Sequence, residues 1–121
     1  MLSRLILVVD DDDDIRSSLL DALAPRFEVA EARGGAEALD LLRQGPELPR
    51  VVLLDVNMPR VAGPDVVVAL RQDPRTAAVP IILMSARLDL AEQAAALHVQ
   101  GYVSKPFDLD RLMRLLDRHC Q

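Results

Sequence analysis

The chain has 121 residues, the size of one domain, and half of them are hydrophobic. Aromatics supply only 2% and there is a single Cys, so the core must be aliphatic and neither a disordered chain nor a disulfide scaffold fits. The 14 basic and 19 acidic residues give a formal charge of −5 with no basic stripe, which argues against direct contact with nucleic acid.

Leu5-Ile6-Leu7-Val8-Val9 reads as a buried strand. The run is far too short for a membrane span and stops at the aspartates 10 to 14, so neither a span nor a secretory leader is expected. A reducing cytoplasm is the expected compartment, with Cys120 a free thiol. Asp12, Asp13 and Asp14 suit a helix start, where carboxylates meet the positive end of the dipole. Ile15, Leu19, Leu20 and Leu23 then recur at helical spacing, and Pro25 stops that helix. Residues 27–32, Phe-Glu-Val-Ala-Glu-Ala, set two glutamates among apolar residues, as an edge strand does. A second helix is predicted over 35–44, ending at Gly45-Pro46. Val51-Val52-Leu53-Leu54 is a fully apolar strand. A loop with Pro59 and Gly63 follows, then a helix over 64–72 with Pro64 as its first residue. Ile81-Ile82-Leu83-Met84 is the third apolar strand, and an Ala-rich helix spans about 88–97. Tyr102-Val103-Ser104 forms a short strand before Lys105-Pro106. The last helix, 109–119, is expected to bury Leu109, Leu112, Met113, Leu115 and Leu116.

Five strand–helix units in alternation predict an α/β fold, a three-layer doubly wound parallel sheet with helices on both faces. The three apolar strands belong at its centre and the two weaker ones at its edges. Residues 1–121 read as one domain, with no linker, repeat or low-complexity tract. In open sheets of this kind ligands bind beyond the carboxyl ends of the strands. There the first strand ends in Asp10 and Asp11, the third in Asp55, the fourth in Ser85 and the fifth in Lys105. Lys105 is the only lysine against 13 arginines, which suggests a place that wants a compact point charge.

Taken singly, each residue has a bland reading as a cap, a turn or a solvated loop position. Taken together they have a physical consequence. Carboxylates about 5 Å apart repel by about 3 kcal/mol per pair at an effective dielectric near 20. A domain has only about 5–15 kcal/mol of net stability. Such a cluster needs a cation among its carboxylates, or raised pKa values. Oxygen donors without Cys or His fit a hard divalent cation, Mg²⁺ first, and argue against zinc. Lys105 can then hold a second oxygen of a tetrahedral anion, Ser85 can donate to a third, and Asp55 can be the nucleophile that takes a phosphoryl group.

Four motifs stand in order along nearly the whole chain: Val8-Val9-Asp10-Asp11-Asp12; Leu54-Asp55-Val56-Asn57-Met58-Pro59 with Gly63 behind it; Ile82-Leu83-Met84-Ser85-Ala86; and Tyr102-Val103-Ser104-Lys105-Pro106-Phe107. Together they resemble the receiver domain of two-component response regulators, of the chemotaxis-regulator type. The resemblance implies a flavodoxin-like sheet of order 2-1-3-4-5 and a phosphoacceptor at Asp55. It implies that Asp10, Asp11, Asp55 and the backbone carbonyl of Asn57 hold Mg²⁺, that Lys105 binds the phosphoryl group, and that the bond from Lys105 to Pro106 is cis. Ser85 and Tyr102 would be a switch pair, with the small Ala86 beside the phosphate. Asn57 and Arg87 stand where the family tunes hydrolysis. The implied partners are a histidine kinase or phosphotransfer protein and a downstream protein on the face of the fourth helix, fifth strand and fifth helix. Oligomeric state is open, with a homodimer one option. No separate substrate is expected to be turned over.

Two features depart from the family pattern. Ser85 replaces the commoner Thr, and Leu97-His98-Val99-Gln100 stands where a Gly-Ala pair usually precedes the fifth strand. His98 and His119 read as surface residues rather than ligands. Two other functions fit parts of the sequence. A Mg²⁺-dependent phosphohydrolase of the haloacid-dehalogenase type would use an Asp-x-Asp motif after the first strand, a spacing that Asp10 and Asp12 share. A phosphate-independent binding module would leave the acid cluster without work.

Overall fold

The computed structural model of the protein describes residues 4–45 and 47–120. Met1 and Gln121, the expected limits of the domain, and Pro46, the expected helix stop, lie outside the described residues. Ten elements alternate: β1 (Leu5–Val9), α1 (Asp13–Leu23), β2 (Glu28–Ala32), α2 (Gly35–Gln44), β3 (Val51–Asp55), α3 (Gly63–Gln72), β4 (Ile81–Ser85), α4 (Leu90–Leu97), β5 (Gly101–Ser104) and α5 (Leu109–His119). The strands form one parallel sheet in the order β2-β1-β3-β4-β5. β3 and β4 are buried along their whole length, while β2 and β5 are the partly exposed edges that their composition predicts.

Strand residues alternate between two faces, so each central strand feeds two cores. Leu7, Val9, Val52, Leu54, Ile81 and Leu83 pack with Ala38 and Leu42 of α2, Val66, Val67 and Leu70 of α3, and Leu90 and Ala94 of α4. Ile6, Val8, Val51, Leu53, Ile82, Met84 and Val103 pack with Leu19 and Leu23 of α1 and Leu112 and Leu116 of α5. The free Cys120 closes this second core. Asp12 caps α1, its carboxylate accepting from the backbone N–H of Asp14 and Ile15. Asp108 caps α5 in the same manner through Arg111.

Three details differ from the sequence expectation. Phe27 precedes β2 rather than opening it; its ring is buried between the guanidinium groups of Arg4 and Arg26, 4.8 and 5.9 Å from the ring centre. α4 begins at Leu90 rather than 88, and the carboxylate of its N-cap residue Asp89 does not cap the helix but takes Arg87 in a two-point contact of 2.9 and 3.0 Å. Leu88 is consequently loop and fully exposed. Leu109 is 46% exposed, not buried. Helical side chains lean toward the preceding turn, and the first residue of α5 has none to cover.

The residues that replace the usual Gly-Ala pair are held firmly. His98 ends α4 in the left-handed region (φ 55°), a conformation that glycine more often supplies. The Gln100 backbone N–H donates to Ile81 O at 3.0 Å, and its side-chain oxygen accepts from Ile81 N–H at 2.8 Å and from Arg71 at 3.2 Å.

Candidate functional site

Register builds the site. Val9 pairs with Leu54, so the next residues, Asp10 and Asp55, end adjacent strands side by side on the face that carries α1 and α5. Carboxylate oxygens of Asp10, Asp11 and Asp55 lie within 4.8 Å of one another. Asp10 and Asp55 are buried, while Asp11 is exposed and opens the cluster to solvent. The β4–β5 pairing ends at Ser85 and Ser104, and the Lys105 N–H donates to Ser85 O at 2.9 Å. This carries the Lys105 ammonium across to the acid pair, 2.9 Å from Asp10 Oδ2 and 3.4 Å from Asp55 Oδ1. The Lys105–Pro106 bond is cis, as the resemblance implies.

The electrostatics follow from this crowding. Burial, and then the charge of Asp10, push the Asp55 carboxyl up to about 6, against the pull of Lys105 and of the Asn57 N–H. Burial by itself would lower the Lys105 ammonium, but its contacts with Asp10 and Asp55 outweigh that and its pKa is raised. One ammonium does not balance three carboxylates. The donor set is all oxygen, tightly grouped and open on one side, which fits a small hard cation with some water left on it.

Around this centre the remaining sequence candidates divide. The Ser85 hydroxyl is buried and accepts from the Arg87 N–H at 3.0 Å and from the Asn57 side-chain amide at 3.4 Å. The Asn57 N–H reaches Asp55 Oδ1 at 3.3 Å. Asn57, Ala86 and Arg87 are exposed, as the rim of an open pocket requires. Lys105, Ala86, Pro106 and Phe107 also line an apolar cavity against Ile15 and Ser18 of α1. Tyr102 is not in the acid pocket. Its half-buried ring packs on the core beneath α2, α3 and α4, with the Arg111 guanidinium 5.4 Å from the ring centre. His98 is exposed and His119 half-buried, and neither joins the acid cluster.

Gly63 is needed for a steric reason. A Cβ there would stand 2.6 Å from the carbonyl oxygen of Asp55 and 2.8 Å from the Cα of Val56, both backbone atoms that cannot yield. The bare glycine lets the start of α3 press on the peptide that carries Asp55. Asp12 is spent on capping α1, so it does not supply the second acid of an Asp-x-Asp pair.

One residue of the site escaped the motif reading. Arg16 is 4% exposed, and its guanidinium donates to the carbonyl of Asp10 at 2.8 Å, to Glu31 at 2.9 Å and to Asp13. It sits three residues before Leu19 and seven before Leu23, inside the apolar stripe of α1. A charged residue at a stripe position was the available signal.

A doubly wound domain of strand order β2-β1-β3-β4-β5, with a buried acid pair and a lysine at the crevice of its first and third strands, belongs to the flavodoxin-like class. The response regulator receiver domain family matches residues 6–117, and the chain is a member of that family, a signalling module of two-component systems. It is 40% identical over 111 residues to the transcriptional regulatory protein PrrA of Mycobacterium tuberculosis, and equally to the response regulator MprA of Mycolicibacterium vanbaalenii. Each match covers 89% of this chain and 46% of the relative, so the chain spans about half the length of the curated relatives it matches. Among solved structures, the chemotaxis response regulator CheY4 of Vibrio cholerae superposes with a TM-score of 0.86 at 29% identity, covering 98% of this chain and 99% of that one. No helix of the described residues is long and apolar enough to cross a membrane.

Proposed function

We propose that residues 1–121 act as one receiver domain in the cytoplasm and that Asp55 is its phosphoacceptor, with a histidine kinase or phosphotransfer protein as the donor. The observation that carries this reading is the grouping of three carboxylates within 4.8 Å around a lysine held at 2.9 and 3.4 Å. Asp10, Asp11, Asp55 and the Asn57 carbonyl would hold Mg²⁺. When bound, the ion offsets the crowded carboxylates and the charge of the phosphoryl oxygens.

An Asp55 carboxylate oxygen forms the new bond to phosphorus as the nitrogen–phosphorus bond of the donor phosphohistidine breaks. The electron pair stays on the imidazole nitrogen, which takes up a proton. Lys105 holds a phosphoryl oxygen. The Ser85 hydroxyl, now an acceptor for Asn57 and Arg87, turns to donate to another. Phosphorylation adds about −1.5 to −2 charges at this point. Space vacated beside Ser85 admits the Tyr102 ring, which biases the α4–β5–α5 face toward a downstream protein or a second copy. Asn57 and Arg87, at the rim, set the lifetime of the phosphate. The domain assists only its own phosphorylation and dephosphorylation.

The test is labelling by a small phosphodonor such as acetyl phosphate. The parent is expected to take up acyl phosphate with Mg²⁺ and to lose the reaction in chelator, and Asp55→Ala is expected to take up none. Equal labelling of Asp55→Ala would falsify the assignment.

A further inference from the structure

We infer that Arg16 is a positioning residue for the metal site, setting the peptide that carries Asp11; the inference rests on the magnesium reading above. Asp10 is held on every side. Its N–H donates to Ala32 O at 3.2 Å, one carboxylate oxygen meets Lys105, and the other accepts the Asp12 N–H at 2.9 Å. Asp11 differs. Its side chain is exposed and makes no hydrogen bond or ion pair among the described residues. The peptide between residues 10 and 11 sets where that side chain starts, and the carbonyl of that peptide accepts the Arg16 guanidinium at 2.8 Å.

The guanidinium is suited to this in a way that an ammonium is not. Its nitrogens serve three acceptors on three segments: the end of β1, Glu31 of β2 and Asp13 in the first turn of α1. A planar fork held at three points fixes direction as well as distance. The sign of the effect separates positioning from simple electrostatics. A positive charge beside a cation site repels the cation, so removing the charge alone would tighten Mg²⁺ binding. Removing a support for a metal ligand weakens it, typically by about ten- to a hundredfold.

Calorimetric titration of Mg²⁺ into the parent, Arg16→Met, Arg16→Lys and Glu31→Gln, each paired with urea unfolding, tests this. Both Arg16 variants are expected to bind Mg²⁺ about tenfold more weakly, because neither restores the fork. Glu31→Gln keeps an oxygen that can accept from Arg16 and so preserves the three-point hold, and it is expected to lose some stability yet keep the parent affinity. If Arg16→Met does not fold, Arg16→Lys carries the test with the charge retained. Parent-like or tighter binding in the Arg16 variants, alongside a parent that binds, overturns this inference alone. A parent that takes up no Mg²⁺ overturns the functional reading and this inference with it.

Discussion

The two ends of the sheet treat charge in opposite ways. At the amino end, Asp117 of α5 accepts Arg4 and Arg26, and the same two guanidinium groups flank the ring of Phe27. Acid and base are matched within the chain there, and the side chains involved are 31 to 49% exposed. At the carboxyl end, Asp10 and Asp55 are buried and Asp11 stands beside them, with Lys105 alone to answer three carboxylates. The chain has 13 arginines, and among the described residues the ion pairs of Asp10 and Asp55 are with the lysine. Like charge crowded in a buried place, in contrast to the matched pairs at the amino end, is the feature by which a functional site stands out.

The strongest way to break that contrast is to remove the lysine. Lys105→Met leaves Asp10 without its ammonium at a fully buried position. The metal-free protein should lose about 3 kcal/mol or more at neutral pH, read by urea unfolding. Added Mg²⁺ should recover part of the loss, and no recovery would mean that the carboxylates do not bind the ion.

The converse change should stabilise. The Asp55 carboxyl has its pKa pushed up to about 6 in the folded protein. The fold therefore holds this proton more tightly than the unfolded chain does, and the stability that comes with it is lost as the pH rises from about 4 through 6. Asp55→Asn keeps the shape without the charge. It should raise metal-free stability by up to about 3 kcal/mol above pH 7, with the gain shrinking to nothing below about pH 4. A gain that does not change with pH would refute the buried charge of Asp55 as its cause.

The smallest effect belongs to the amino end. Asp117→Asn removes an exposed pair of contacts and should cost less than about 1 kcal/mol, fading further in high salt. Labelling of Asp55 should be unchanged. A large loss of labelling would mean that the two ends are coupled.

Much of this was legible in the residues. A central parallel strand must be apolar on both faces, so the runs at 5–9, 51–54 and 81–84 show where the sheet lies, and the first polar residue after each shows its rim. Asp10, Asp55 and Ser85 follow from that rule, and Lys105 from its rarity. What periodicity does not convey is which polar side chain is turned inward. Arg16 occupies a core-facing position of α1, yet its burial depends on acceptors that only the assembled β1 and β2 supply. Leu109 shows the reverse case, an apolar residue in a helical stripe that stays 46% exposed at the start of its helix. The firmness of 97–100 was also hidden, because it comes from one glutamine side chain reaching the start of another strand.

That glutamine has a mechanical consequence. It ties the segment that leaves α4 to the first peptide of β4, while at the other end of the helix Leu90, 2% exposed, is seated in the core. Eight residues of helix span about 12 Å, so the two holds lie a little over two turns apart. The helix is thus a short rod held at both ends, by a buried leucine beside the loop that leaves Ser85 and by the glutamine at the far side.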